Sequence, residues 1–235
     1  MAKRRGKRYS ESKSQIQSGK QYPLDEAIPL LLKTATAKFN ESVDAAFLLG
    51  IDVRRSDQMV RGAVVLPHSI GKETRIVVFA KGDKEKEAVE AGADFVGCDD
   101  LVGKIQKGWL DFDNAIATPD VMSTVAKVGK ILGPRGLMPN PKTGTVTFDV
   151  GKVVRELKSG RVEYRSDKGG VVHALIGRKH LTPPQLRENF LAIYDSLLRN
   201  KPVASKSIFF RKITISATMG PGVEIDPQSI EVSAL

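Results

Sequence analysis

The sequence predicts an α/β protein in two parts. One is a discontinuous α+β domain with an antiparallel sheet, assembled from both ends of the chain; the other is a three-layer α/β domain inserted between them. Three observations carry this reading. From Arg75 to Leu132, short apolar runs alternate with amphipathic helical stretches, the pattern of strands joined by right-handed crossovers into a mainly parallel sheet. The segments on either side combine helices with strands of period two, which suit an antiparallel sheet. Neither flank holds enough strands for a domain alone, so the two complete one another. The boundaries that follow are a basic flexible arm at 1–20, a split domain at 21–67 and 157–235, and an inserted domain at 68–156. The two crossings between domains run side by side, which makes a natural hinge.

At 235 residues and 41% hydrophobic, the chain can bury a sizeable core. Its apolar runs are too short to span a membrane, and no apolar signal core follows the basic start. Cys98 is the lone cysteine, which leaves no internal disulfide and no cysteine-built metal site. The chain thus reads as soluble, cytoplasmic and free of membrane contact. Net charge is +10, unevenly placed: residues 1–20 carry seven Lys/Arg and one Glu, whereas 68–155 carry 13 basic and 12 acidic side chains. The basic excess lies outside the middle of the chain. It suggests nucleic acid, although a solubilising tail has the same composition.

Taken in order, residues 1–20 are polar and lack periodicity. From Pro23 the pattern turns helical, with Leu24, Ala27, Ile28, Leu31 and Ala35 on one face; Pro29 inside it predicts a kink or a late start. Residues 42–51 alternate cleanly through Val43, Ala45, Phe47, Leu49 and Ile51, a strand. Arg54 to Gln58 is a polar connection, and Arg61–Leu66 a strand closed by Pro67.

The inserted part opens with the apolar run Arg75–Ala80, a strand buried on both faces. Helices follow at 83–92 and 99–107, with strands at 94–98 and 114–118 beside them. A helix then starts at Pro119 with Val121, Val125, Val128 and Leu132 in register. Residues 133–145 are a loop punctuated by Gly and Pro, and a helix at about 150–158 closes the insert.

In residues 158–170, Val162 and Tyr164 point one way while Arg161, Glu163 and Arg165 point to a wet face. This strand runs into Asp167-Lys168-Gly169-Gly170, a turn whose glycines allow positive φ and close approach. Val171–Ile176 is a strand, Thr182-Pro183-Pro184 caps a helix with Leu186, Phe190, Ile193 and Leu197 inward, and Ser207–Ala217 is a long strand ending in Thr218-Met219-Gly220-Pro221-Gly222.

Catalytic chemistry finds little support. Gly136 to Thr143 approaches a phosphate-cradling loop, but Pro141 replaces the second glycine and offers no N–H. His68, His173 and His180 lack metal spacing; His173, sharing a face with Val171 and Leu175, suits a hydrogen-bonded core position. No serine sits in a nucleophile elbow. The chain reads as no enzyme, with no cofactor. Three loops instead suit a polyanion. Arg165, Asp167, Lys168 and Gly169 join cations to a bare backbone. Thr218, Met219 and Gly220 place a hydroxyl, a thioether and a glycine at a strand end. Lys38, Phe39, Glu41 and Ser42 add a cation, an aromatic ring and a hydroxyl, although Phe39 taken alone reads as core rather than as a stacking platform. Singly these loops are weak signals; jointly they belong to the split domain that holds the basic excess. A nucleotide-using enzyme built on the insert, or a protein–protein scaffold with a solubilising tail, are the competing classes.

Lys130-Ile-Leu-Gly-Pro-Arg-Gly-Leu-Met-Pro-Asn-Pro141 resembles the signature of the ribosomal protein L-one family, the first protein of the large subunit, in its bacterial or organellar form. Phe39–Val43, Arg54–Gln58, Gly92–Asp94, Gly160–Lys168 and Thr218–Pro221 are similar in the same order, and the likeness spans roughly residues 20–230. The resemblance implies a split domain with an inserted Rossmann-like one. It implies a monomer when free that joins the large ribosomal subunit, where it binds large-subunit ribosomal RNA at the mobile stalk beside the tRNA exit site. There it would aid release of deacylated exit-site tRNA, and it would repress translation of its own messenger RNA. Carried over residue by residue, the RNA-binding positions are Lys38, Phe39, Glu41, Ser42, Arg54, Arg165, Asp167, Lys168, Gly169, Thr218, Met219 and Gly220. The 1–20 arm is longer and more basic than the family leads one to expect.

Overall fold

The computed structural model describes residues 6–55, 57–71, 74–202 and 208–230, with only the backbone at Lys142. The first five residues of the basic arm, Ser56 of the polar connection and Ser207 at the head of the last long strand lie outside them. The chain forms two compact units, Met1–Gly71 with Val162–Leu235, and Lys72–Arg161.

In the first unit a four-stranded sheet has the order β7-β1-β8-β9, from β1 (Ser42–Leu49), β7 (Val171–Arg178), β8 (Phe210–Ala217) and β9 (Gly222–Ile225). All three pairings are antiparallel. Along β1 burial alternates strictly, with Val43, Ala45, Phe47 and Leu49 inward. That face packs on α2 (Leu24–Thr34) and α8 (Pro183–Arg199) through Ile28, Leu31, Leu186, Phe190 and Ile193. Phe47 lies 5.5 Å from Phe190 and 6.1 Å from Phe210, ring centre to ring centre, and Tyr194 stacks on Phe210 at 4.4 Å. Such pairs add about 0.5–1.5 kcal/mol each beyond their buried area. At the start of α8, Gln185 accepts a hydrogen bond from the Thr182 amide, the capping arrangement that the sequence announces. A separate two-stranded sheet joins β2 (Arg61–Val65) to β6 (Arg161–Arg165).

Two expectations for this unit are corrected. The arm read as flexible and aperiodic contains α1 (Lys7–Ser14). Its anchor is polar: Ser12 is buried and its hydroxyl donates to the Thr34 carbonyl, a contact invisible to hydrophobic periodicity. The helix α2 begins at Leu24 and continues through Pro29, so it does not start late. Pro29 and Asp25 are both exposed, so the missing N–H falls on the solvent side of the helix, where its loss costs least.

The second unit holds a parallel sheet of order β4-β3-β5, from β3 (Ile76–Phe79), β4 (Phe95–Gly97) and β5 (Asn114–Ala117). Val77 and Phe79 pack with α4 (Asp99–Gln106), α5 (Met122–Val125) and α6 (Gly129–Leu132) on one face. Ile76 and Val78 pack with α3 (Asp83–Glu90) and α7 (Val150–Ser159) on the other. The three layers agree with the fold class read from the sequence. The single helix expected from Pro119 is instead four short turns in which 3-10 and α geometry alternate. Val121, Val125, Val128 and Leu132 are nonetheless all buried, so the inward register survives the irregular backbone. Loop 133–145 closes on itself: the Asn140 amide donates to the Thr145 hydroxyl at 2.8 Å, and Thr143 and Thr145 are both buried.

Candidate nucleic-acid interface

Helices α2 and α8 cover one face of the four-stranded sheet. On the other face lie Ser42, Asp44 and Ala46 of β1, with Ser216 opposite Asp44 and both Thr214 and His173 opposite Ala46. These residues are small or polar and half-buried or exposed. They floor a strip between two loop clusters.

The first cluster stands at the Ser42 end. Glu41 is fully buried; one carboxylate oxygen accepts the Ala37 amide at 2.8 Å and the other the Met219 amide at 2.9 Å. The carboxylate is spent inside the protein, and its work is to hold loop 37–41 against loop 218–220. Thr218 behaves similarly: its hydroxyl accepts the Ser42 amide at 3.0 Å and donates to the Ser42 carbonyl at 3.2 Å. What these clamps push outward is Lys38, Phe39 at 53% exposure and Met219 at 52%. The reading of Phe39 as core is thus corrected; two large apolar groups face solvent beside a lysine. At Gly220 a Cβ would come within 3.3 Å of Ala217 Cβ, a tight approach that a side chain would have to push aside.

The sequence reading missed three neighbours of this cluster. Arg178 pairs with Ser42 in the sheet register, the Lys179 amide donates to the Glu41 carbonyl, and Asn40 donates to His180 Nδ1 at 2.9 Å. Arg178 Nε is buried with no hydrogen-bond partner among the described residues. The signal was a basic triplet, Arg178-Lys179-His180, just past a strand; only the strand pairing shows where it lands.

The second cluster stands at the other end of β1, where the Leu49 amide donates to the Gly170 carbonyl. Asp167 Oδ1 accepts the amides of Gly169 and Val171, both at 2.8 Å. Those backbone donors, with the Val171 amide foremost, hold its carboxyl below the ordinary carboxylate range. The turn lifts Lys168 and Gly169 into solvent. Of its two glycines only Gly170 takes a positive φ, 76°. Arg165 and Arg54 are both exposed, and the Arg54 amide donates to Asp52 Oδ1. Arg161, expected on the same wet face, turns inward instead, to Glu156 and the Thr143 carbonyl.

The clusters do not merge into one patch. Ser42 and Leu48 lie six steps apart on one strand, roughly 20 Å at about 3.4 Å per residue. The Thr218 loop joins the Lys38 loop at one end, and the Asp167 turn meets Val53 and Val60 at the other. Between them His173, read earlier as a core histidine, is exposed, its Nε2 4.0 Å from Asp167 Oδ2. Both parities of β7 carry apolar residues, and the buried set is Val172, Ala174, Ile176 and Gly177. Asp44, on the same floor, has its carboxyl pushed up by burial, a shift opposed by His173. Among the described residues no group of three or more His, Cys, Asp or Glu is placed to hold a metal, and no helix is long and apolar enough to cross a membrane.

The arrangement offers cations, exposed apolar groups and bare backbone at both ends of a polar floor. It suits a long polyanion that presents sugars and bases besides phosphates. Comparison with known proteins points the same way. The profile described as the ribosomal protein L1p/L10e family matches residues 31–221. The chain is also similar to the large ribosomal subunit protein uL1 of Bdellovibrio bacteriovorus, 55% identical over 224 residues that cover 95% of this chain and 96% of that one.

Proposed function

Because the chain belongs to the ribosomal protein L1p/L10e family, we propose that its open sheet face is where it grips large-subunit ribosomal RNA. Membership makes it a structural, non-enzymatic component of the large ribosomal subunit, with the ribosome and ribosomal RNA as its partners. The finer reading places the RNA on the split domain, with Lys38, Phe39 and Met219 at one end of β1 and Arg165, Lys168 and Gly169 at the other. The observation that carries it is the pair of internal clamps, Glu41 and Asp167. Each uses a carboxylate on backbone amides, so that the cations and apolar groups around it are held facing outward.

Recognition on this reading is by shape. A-form RNA presents 2′-hydroxyls and phosphates on its shallow groove, and unpaired bases offer their faces. Arg and Lys supply salt-dependent affinity, while the rigid loops supply fit. Glu41 and Thr218 act through the loops they hold. The family resemblance further suggests that the protein helps release deacylated tRNA from the exit site and represses its own messenger RNA through a similar RNA fold.

Ultraviolet crosslinking of the full chain to its large-subunit ribosomal RNA, mapped to residues, tests the assignment. Crosslinks at Phe39, Met219 and Lys168 are expected. Crosslinks concentrated within 72–161 would place the RNA on the other unit and overturn it.

A further inference from the structure

At the Asp167 end of the sheet the surface sinks into a cavity of about 410 Å³, lined by Val53, Met59, Arg165, Ser166, Asp167 and Lys168. Its volume lies within the ~300–1,000 Å³ of ordinary small-ligand sites. We propose that this cavity is a socket for a single nucleobase turned out of the RNA stack, an assignment that rests on the RNA-binding reading above.

The lining has the chemistry of a base site. Met59 is 39% exposed, although it is apolar, and Val53 is half-buried beside it. A polarizable thioether and a branched aliphatic group make a floor for a ring face. Arg165 brings a planar guanidinium that stacks on rings as well as pairing with phosphate, and Lys168 stands at the rim for the flanking backbone. A purely apolar partner, such as a peptide's aliphatic side chain, would leave both cations unanswered. A base within a duplex hides its face in the stack, so the occupant is an unpaired one.

The walls are also fixed before anything binds. The Ser166 amide donates to the Val60 carbonyl at 2.9 Å, and the Val60 amide donates to the Ser166 hydroxyl at 3.2 Å. Gln58, itself buried, accepts the Asp52 amide at 2.7 Å, and the Gln58 amide donates to the Arg55 carbonyl. A Cβ built on Gly170 would stand 3.6 Å from Ile51 Cγ1 and 3.7 Å from Val53 Cγ1, so the turn packs closely on those two residues. Binding then has only the exposed side chains of the lining, Met59, Arg165 and Lys168, to order. One carboxylate oxygen of Asp167, Oδ1, accepts the turn amides; the other, Oδ2, lies 4.0 Å from His173 Nε2. An acceptor at that position favours a base whose edge donates.

The test uses the full chain and an RNA fragment of its own large-subunit ribosomal RNA, in which unpaired purines are replaced one at a time by 2-aminopurine. Wild-type protein should change the fluorescence of one position on binding. Met59→Asp, which puts an anion into the socket, should weaken RNA binding about 10-fold and abolish that change even at saturating protein. Met59→Leu should retain both, and circular dichroism should show both variants folded. If Met59→Asp binds as wild type and reports the same fluorescence, the socket is wrong while the RNA reading stands. Failure of the wild type itself to bind the fragment would overturn both.

Discussion

Glu41 and Met219 are joined by a part-buried hydrogen bond, the buried carboxylate of one accepting the backbone amide of the other at 2.9 Å. They stand far apart in sequence, at the entrance to one strand and just past the end of its neighbour. With the second bond, to the Ala37 amide, one acidic side chain sets the shape of two loops. Glu41→Gln keeps one acceptor but turns an N–H₂ toward an amide donor. It should cost about 1–3 kcal/mol of stability, the cost of a buried group left unpaired, and urea denaturation would measure it. RNA affinity should fall with it because the loops lose their relative position.

Thr218 closes the same junction from outside. Thr218→Val deletes both hydroxyl bonds to Ser42 and should destabilise the protein by about 1–3 kcal/mol, while Thr218→Ser should restore most of it. A Val variant that melts like wild type would show that the Ser42 amide finds water instead.

Phe39 tests contact rather than construction. It is half exposed, so Phe39→Ala should move stability by no more than about 0.5 kcal/mol. If a base stacks on it, RNA binding should weaken by about 1–3 kcal/mol. Parallel melting and RNA titrations separate the two.

For Asp167 the prediction concerns pH. Its folded-state pKa is depressed by the turn amides, so its contribution is complete above the unfolded value near 4 and is lost as pH falls through the lower folded value. Exchange protection of the Gly169 and Val171 amides should hold from pH 7 to about pH 4 and disappear below. Asp167→Asn, whose amide oxygen accepts at every pH, should keep the protection without the acid loss, and Asp167→Ala should lose it at every pH.

Arg178, whose buried Nε lacks a hydrogen-bond partner among the described residues, supplies a further check. If it meets a phosphate, Arg178→Ala should lower the slope of log K against log salt by about 1. An unchanged slope would leave it a structural residue.

Much of this was legible beforehand, and the misses share a cause. β1 could be read because its alternation puts apolar residues on one parity only. β7 could not, because Val171 and Leu175 compete with Val172, Ala174 and Ile176 for the inward face, and His173 went to the wrong side with them. Phe39 looked like core because nothing local shows that the Glu41 clamp turns its loop outward. Arg161 looked wet by alternation, but a partner at Glu156 draws it in. The same blindness hid α1, whose anchor is a serine, and Arg178, whose place depends on which strand lies beside β1. Periodicity reports the face a residue prefers; the pairing of distant strands decides what it meets.

That pairing also governs how the molecule comes into being. β1 takes its two neighbours from strands that begin at Val171 and Phe210, both downstream of everything in the 72–161 unit. A chain emerging from a ribosome at about 5–20 residues per second therefore carries its first strand bare on both sides for on the order of ten seconds. The parallel sheet, whose partners are near at hand, can be finished meanwhile. Nascent chains caught in that interval would display Val43, Ala45 and Phe47 to any chaperone, or to one another.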